Sequence, residues 1–166
     1  MKKKTIFFAD RPEFLHVAQA VSGSLFDFKF CSSLEKAKAS LQFSGKTKEI
    51  DMIVCGLHFD DGRMHELLHF VKNDEKTRAI PFLCVKLEEG KMTSHMLDSV
   101  RTSCEVLGAQ GFLHFPDNVS QHGELAAFGI FRDALRDQLE KRTAAEGRPD
   151  DQQASSPAPQ EHRRIA

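Results

Sequence analysis

The sequence predicts a three-layer αβα domain, a doubly wound five-stranded parallel sheet with helices on both faces. Two observations carry this expectation. Short apolar runs alternate strictly with amphipathic helical segments, five of each, which is the pattern of parallel strands joined by helical crossovers. The runs at 50–55 and 81–85 are almost continuously apolar, as strands covered on both faces must be. The size agrees, since 166 residues with 40% hydrophobic and 28% charged side chains suit one folded domain.

Residues 5–9 form a β-branched and aromatic run that stops at Asp10, Arg11 and Pro12, a strand followed by a turn. Pro12 fits the first turn of a helix, where its missing N–H is no loss. Phe14, Leu15, Ala18 and Val21 continue that helix at helical spacing until Gly23. Residues 26–30 alternate with period two, which marks a strand with one face less covered and places it at an edge. Ser32 or Ser33 caps a second helix carrying Leu34, Ala37 and Leu41. Residues 50–55 are the third strand, and Met64, Leu67, Leu68 and Val71 mark the third helix. Residues 81–85 are the fourth strand, and a fourth helix carries Met92, Met96, Leu97, Val100 and Cys104 and stops at Gly108. Residues 111–115 are the fifth strand, closed by Pro116. A last helix runs over about 121–143 with Leu125, Phe128, Phe131, Leu135 and Leu139 along one stripe. Beyond it the composition turns to Pro, Gln, Ser and charges, so the chain divides into a domain over 1–143 and a disordered tail over 144–166.

Composition excludes several functions. Lys plus Arg is 23 and Asp plus Glu is 24, without the basic excess of a dedicated nucleic-acid binder. The segment after 143 is too short and irregular for a helix-turn-helix unit. No apolar run approaches the ~18 residues of a membrane span, and the run at 5–9 is too short for a signal-peptide core. A cytoplasmic location without nucleic-acid or membrane contact is expected. The four cysteines show no CxxC spacing, and Cys55 and Cys84 lie in apolar runs as buried free thiols.

Two motifs invite chemistry. Gly45, Lys46 and Thr47 look like the end of a phosphate-binding loop, but that loop needs Gly at 40, where Ser40 stands, and it should follow a strand. His65, Glu66 and His69 match HExxH, which on a helix puts two imidazoles on one face for zinc, with the Glu as general base. No downstream His supplies a third ligand, and the buried stripe turns His65 and His69 to the outer flank. Surface histidines are expected, a weak adventitious metal site and a zinc hydrolase being the lesser readings.

In a sheet of this kind the ligand crevice lies at the carboxyl ends of the strands. Those ends are Ala9-Asp10, Gly56, Val85-Lys86 and Phe115-Pro116. Here the chain resembles a response-regulator receiver domain, CheY-like, over roughly 4–143. Asp51 leading an apolar run to Gly56 resembles that family's third strand. Pro81 opening a run to Lys86 resembles its fourth. Gly108 and Ala109 followed by Phe112 and Pro116 resemble its Gly-Ala-x-x-aromatic-x-x-Lys-Pro segment, the most specific of the three.

The resemblance implies a flavodoxin-like sheet of order 2-1-3-4-5. It also implies a phosphoryl acceptor Asp after the third strand, an acidic pair after the first that helps hold Mg²⁺, a Thr or Ser after the fourth, and a Lys before the last Pro. This chain has Gly56, Ala9-Asp10, Lys86 and Phe115 at those places, and Phe112 for the switch aromatic. A glycine offers no nucleophile, and one carboxylate is a poor octahedral site. The expectation is a degenerate acceptor pocket of Asp10, Gly56, Lys86, Phe112 and Phe115, without catalysis, metal or cofactor, in which Lys86 either pairs with Asp10 or extends into solvent above the strand end. Such a pseudo-receiver works in two-component-type signalling as a phosphorylation-independent interaction module. Its partner is a signalling protein such as a kinase, or a second copy. The resemblance implies docking by the fourth helix, fifth strand and fifth helix, here Phe112, His114, Phe128, Phe131, Leu135 and Leu139. The alternatives are a phosphorelay acceptor at a nonstandard residue such as Asp10, Asp60 or Asp61, and a small-ligand binder using the space at Gly56.

Overall fold

The computed structural model describes residues 2–43, 49–90 and 92–147. The glycine-lysine-threonine segment and the tail beyond Gly147 lie outside the described residues. The strands are β1 (Lys4–Ala9), β2 (Phe26–Cys31), β3 (Met52–Gly56), β4 (Phe82–Lys86) and β5 (Gly111–His114). They form one parallel sheet of order β2-β1-β3-β4-β5, as expected. The helices are α1 (Leu15–Ser22), α2 (Leu34–Gln42), α3 (Met64–Asn73), α4 (Ser94–Val106), α5 (Phe115–His122) and α6 (Glu124–Glu146). A 3₁₀ turn, Pro12–Phe14, leads into α1.

Alternation along the strands divides the core into two layers. Phe7, Ala9, Ile53, Cys55, Phe82 and Cys84 face α2, α3 and Cys104 of α4. Ile6, Phe8, Met52, Val54, Leu83 and Val85 face α1 and α6. β3 and β4 are buried at every residue, whereas β2 alternates between covered and exposed positions at its edge. The acidic residue before β3 is structural, because Asp51 Oδ2 accepts the Thr5 N–H at 2.8 Å and holds β1 in register.

The C-terminal part differs from the expected single helix over 121–143. Pro116 does not merely close β5. It sits in the first turn of α5, whose start is capped by His114 Nδ1 accepting the Asp117 N–H at 3.2 Å. Gly123, at φ +84°, separates α5 from α6. The long helix therefore starts later and runs to Glu146, past the boundary expected at 143. Arg142 anchors that last turn by donating to the Asp51 carbonyl at 2.6 Å and pairing with Glu146 at 2.8 Å.

The buried stripe of α6 is Ala127, Phe131, Leu135 and Leu139, while Leu125 is 88% exposed. Phe131, Leu135 and Leu139, expected on an interaction face, are core instead. Their four-residue spacing keeps them on one line facing β1, β3 and α1.

Candidate functional site

The carboxyl ends of β1, β3 and β4 converge as the topology requires. Asp10 follows β1 and is 1% exposed. Its backbone N–H donates to the Cys31 carbonyl at 3.1 Å, and its Oδ1 accepts the Arg11 N–H at 2.7 Å. The carboxylate lies over the Cα of Gly56. A Cβ at position 56 would stand 1.9 Å from Asp10 Oδ2 and 2.2 Å from its Cγ. Asp10 thus fills the volume a side chain at 56 would occupy, and only glycine leaves it that room. Burial pushes the Asp10 carboxyl from its ordinary 3.8 up to about 6, against the lowering effect of the Arg11 hydrogen bond and charge.

The expected Asp10–Lys86 ion pair does not form. Lys86 is 2% exposed, and its ammonium donates to the carbonyl of Glu88 and to that of Gly90 at 3.4 Å, closing the loop after β4 on itself. Fixed carbonyl dipoles only two and four residues away meet the ammonium without a long crossing of the crevice. Burial draws the Lys86 pKa down, opposed by the charges of Glu88 and Asp117.

A charged network missed by the sequence reading links all three strand ends. Glu88 Oε1 meets Arg11 at 3.1 Å, and its Oε2 meets His58 Nε2 at 3.0 Å. Arg11 also pairs with Glu13 at 3.2 Å and lies over the Phe14 ring at 5.3 Å. Partial burial pulls the Glu88 carboxyl up, but the Arg11 hydrogen bond and the nearby His58, Arg11 and Lys86 charges hold it below its ordinary value. Its members come from three loops far apart in sequence, so no local spacing announces it. The only available signal was an ionisable residue two positions beyond each of these three strands, Arg11, His58 and Glu88.

Asp60 is turned away to a different task. Its Oδ2 accepts the Leu34 N–H at 2.8 Å, capping α2, from a backbone at φ +42°. Phe115 lies in the α1–α6 layer, 5.3 Å from the Phe128 ring and 6.2 Å from that of Phe131. Phe112 is half-buried on β5, with the Arg101 guanidinium 5.9 Å from its ring centre. His114 Nδ1 lies 2.9 Å from Asp117 Oδ2, and burial lowers the imidazole pKa despite that carboxylate. His65 bonds Ser103 of α4 at 2.9 Å, and His69 bonds Asn73 at 3.1 Å. Among the described residues no group of three or more His, Cys, Asp or Glu is arranged to hold a metal ion. The Mg²⁺ implied by the fold does not fit this crevice, because Asp10 is its one buried carboxylate and is packed on Gly56.

Comparison with solved structures settles the fold. The phosphorylated cyanobacterial phytochrome response regulator RcpA is 16% identical at a TM-score of 0.63, covering 84% of this chain and 96% of its own. A response regulator from Hahella chejuensis is 14% identical at 0.61, covering 82% and 95%. The receiver domain of a sensor histidine kinase from Pseudomonas aeruginosa, with magnesium in its active-site cleft, is 15% identical at 0.58, covering 86% and 99%. No protein-family model and no curated protein matches the sequence. The fold is that of response-regulator receiver domains. Among the described residues no helix is long and apolar enough to cross a membrane.

Proposed function

We propose that the chain is a pseudo-receiver of two-component-type signal transduction that acts by protein contact, without phosphorylation and without enzymatic activity. One observation carries this reading: the Asp10 carboxylate occupies the space of the missing side chain at Gly56. By the resemblance, that space belongs to the acceptor Asp. Here it is filled by a group that is itself buried, while Arg11, His58 and Lys86 are engaged by Glu88 and the loop carbonyls. Entry of a phosphoryl group would have to break those contacts without an acceptor at position 56 to receive it.

Contact with a signalling partner or a second copy falls to the exposed surface of α4 and β5. The described part of α4 buries only Cys104, and Met96 is 53% exposed. β5 is half-exposed along its length at the sheet edge, with Phe112 under Arg101. His114, only partly covered, lines the same surface depression as Arg101 and Phe112, whereas Phe128, expected on this face, packs on Phe115 in the α1–α6 layer. An aromatic ring under a guanidinium at an exposed sheet edge suits a protein contact.

The test is intact mass after incubation with acetyl phosphate and Mg²⁺. An unchanged mass is expected. A gain of one phosphoryl group overturns the reading, and peptide mapping then identifies the residue that took it.

A further inference from the structure

The helix α5 forms, with α1 and the loop after β4, a half-open cavity of about 770 Å³ whose lining includes none of Asp10, Arg11, Gly56, His58 and Glu88. Its floor is apolar, built by Val17, Leu87, Phe115 and Val119. Its rim carries the carboxylates of Glu89, Asp117 and Glu124, with the imidazoles of His16 and His114. Neither Lys nor Arg is among the described residues that line it. Among the described residues Glu89 and Glu124 have no ion-pair partner, and Asp117 has only His114. Lys86, the nearest cation in sequence among the described residues, is turned into its own loop. The site therefore suits an aliphatic side chain flanked by guanidinium groups, since Arg meets carboxylates in a planar fork.

The sequence contains one such segment beyond the described residues. Arg163, Arg164 and Ile165 are consecutive, and Ile165 is the sole large apolar residue after Gly147. We propose that the cavity receives this segment of the same chain, with Ile165 on the apolar floor and Arg163 and Arg164 at Glu89, Asp117 and Glu124. The reach is sufficient. Glu124 begins α6 at the cavity and Gly147 follows the end of that 23-residue helix, a distance of about 35 Å. Gly147 and Arg163 are 16 positions apart, which spans up to about 55 Å when extended. This inference goes beyond the reading of the crevice and does not depend on it.

The test compares the full chain with a full-length variant carrying Arg163→Ala, Arg164→Ala and Ile165→Ala, by amide NMR. Changes are expected at Leu87, Gly90, Val119 and Ser120, with none on α2 and α3, independent of protein concentration. A synthetic peptide of residues 156–166 is the probe in the second arm. It should bind the triple variant saturably, at least about tenfold more tightly than it binds the intact chain, whose own segment competes. Glu124→Gln with Glu89→Gln should weaken peptide binding to the triple variant about tenfold. Unchanged cavity amides overturn the proposal. Equal peptide affinity for both chains overturns it too, as the cavity would then be empty in the intact chain. Changes that grow with protein concentration identify a second copy as the donor and overturn docking within one chain.

Discussion

Replacing Gly56 by Ala tests the packing at the centre of the crevice. The added Cβ would lie 1.9, 2.2 and 2.5 Å from Oδ2, Cγ and Oδ1 of Asp10. β3 cannot yield easily, because Gly56 is paired with Val85 of β4 and the next N–H, that of Leu57, donates to the Val85 carbonyl at 2.7 Å. Asp10 must therefore turn away and surrender the 2.7 Å bond from the Arg11 N–H. Losing a hydrogen bond to a charged group costs about 1.5–3 kcal/mol, and a displaced rotamer adds about 0.5–1.5. The loss of unfolded-state freedom on Gly→Ala returns about 0.4–1. The net expectation is a destabilisation of about 2–3 kcal/mol at pH 7, read from urea unfolding with unchanged m. In an Asp10→Ala background the clash is absent, and Gly56→Ala should be neutral or slightly stabilising. The coupling should exceed 1.5 kcal/mol, well above the about 0.5 typical of independent sites. If Gly56→Ala costs the same in both backgrounds, Asp10 does not occupy that space and the proposed function loses its support.

Three further outcomes follow from the same contacts. In Asp10→Asn the buried charge is removed. Asp10 holds its proton up to about pH 6 when folded but only to its ordinary 3.8 when unfolded, so its contribution falls as pH rises between those values and stays low above them. The difference in stability between Asp10→Asn and the parent should grow over that window by about 3 kcal/mol in favour of the variant, at about 1.4 per unit. A flat difference from pH 4 to 7 would contradict it. Lys86→Met keeps the aliphatic stem but leaves two carbonyls without their donor. A loss of about 1–3 kcal/mol is expected, with faster amide exchange at Glu89 and Gly90, which unchanged exchange would refute. Leu135→Ala, at a position 1% exposed, should cost about 2–5 kcal/mol as a core truncation. A near-zero cost in chemical denaturation would return Leu135 to the surface.

Much of the architecture is readable from hydrophobic period alone. β3 and β4 are covered on both sides and read as unbroken apolar runs, and β2 reads as an edge by its alternation. The α5–α6 break was harder to see, since Pro116 after a strand suits either a stop or the first turn of a helix. What decides is His114 accepting the Asp117 N–H, a side-chain contact that composition does not encode. The extension of α6 to Glu146 rests on Arg142 reaching the start of β3, which is tertiary information. Topology brought Asp10, Gly56 and Lys86 to one end of the sheet, so their neighbourhood was legible. Their pairing was not. Lys86 chose carbonyls of its own loop, and the cation at the crevice became Arg11, held by Glu88 from a different strand end.

That exchange of partners bears on how such a domain can be controlled. A ligand shifts a conformational equilibrium only by the difference in its affinity for the two states. A phosphoryl group or Mg²⁺ would gain contacts at a pocket of free carboxylates and a free lysine. In this crevice Asp10 is packed on Gly56, Glu88 is shared by Arg11 and His58, and Lys86 is spent on backbone oxygens. Any anion arriving there must first displace Glu88 from two cations, so its net gain is small in either state. The exposed parts of the network still matter, because Arg11, His58 and Glu88 are each about a third exposed and isolated pairs of that kind contribute at most about 1 kcal/mol. A partner that buried them would strengthen the same contacts by excluding water. On the proposed reading, control enters by protein contacts that cover this network or the α4–β5 surface, and charge added at position 56 has no part in it.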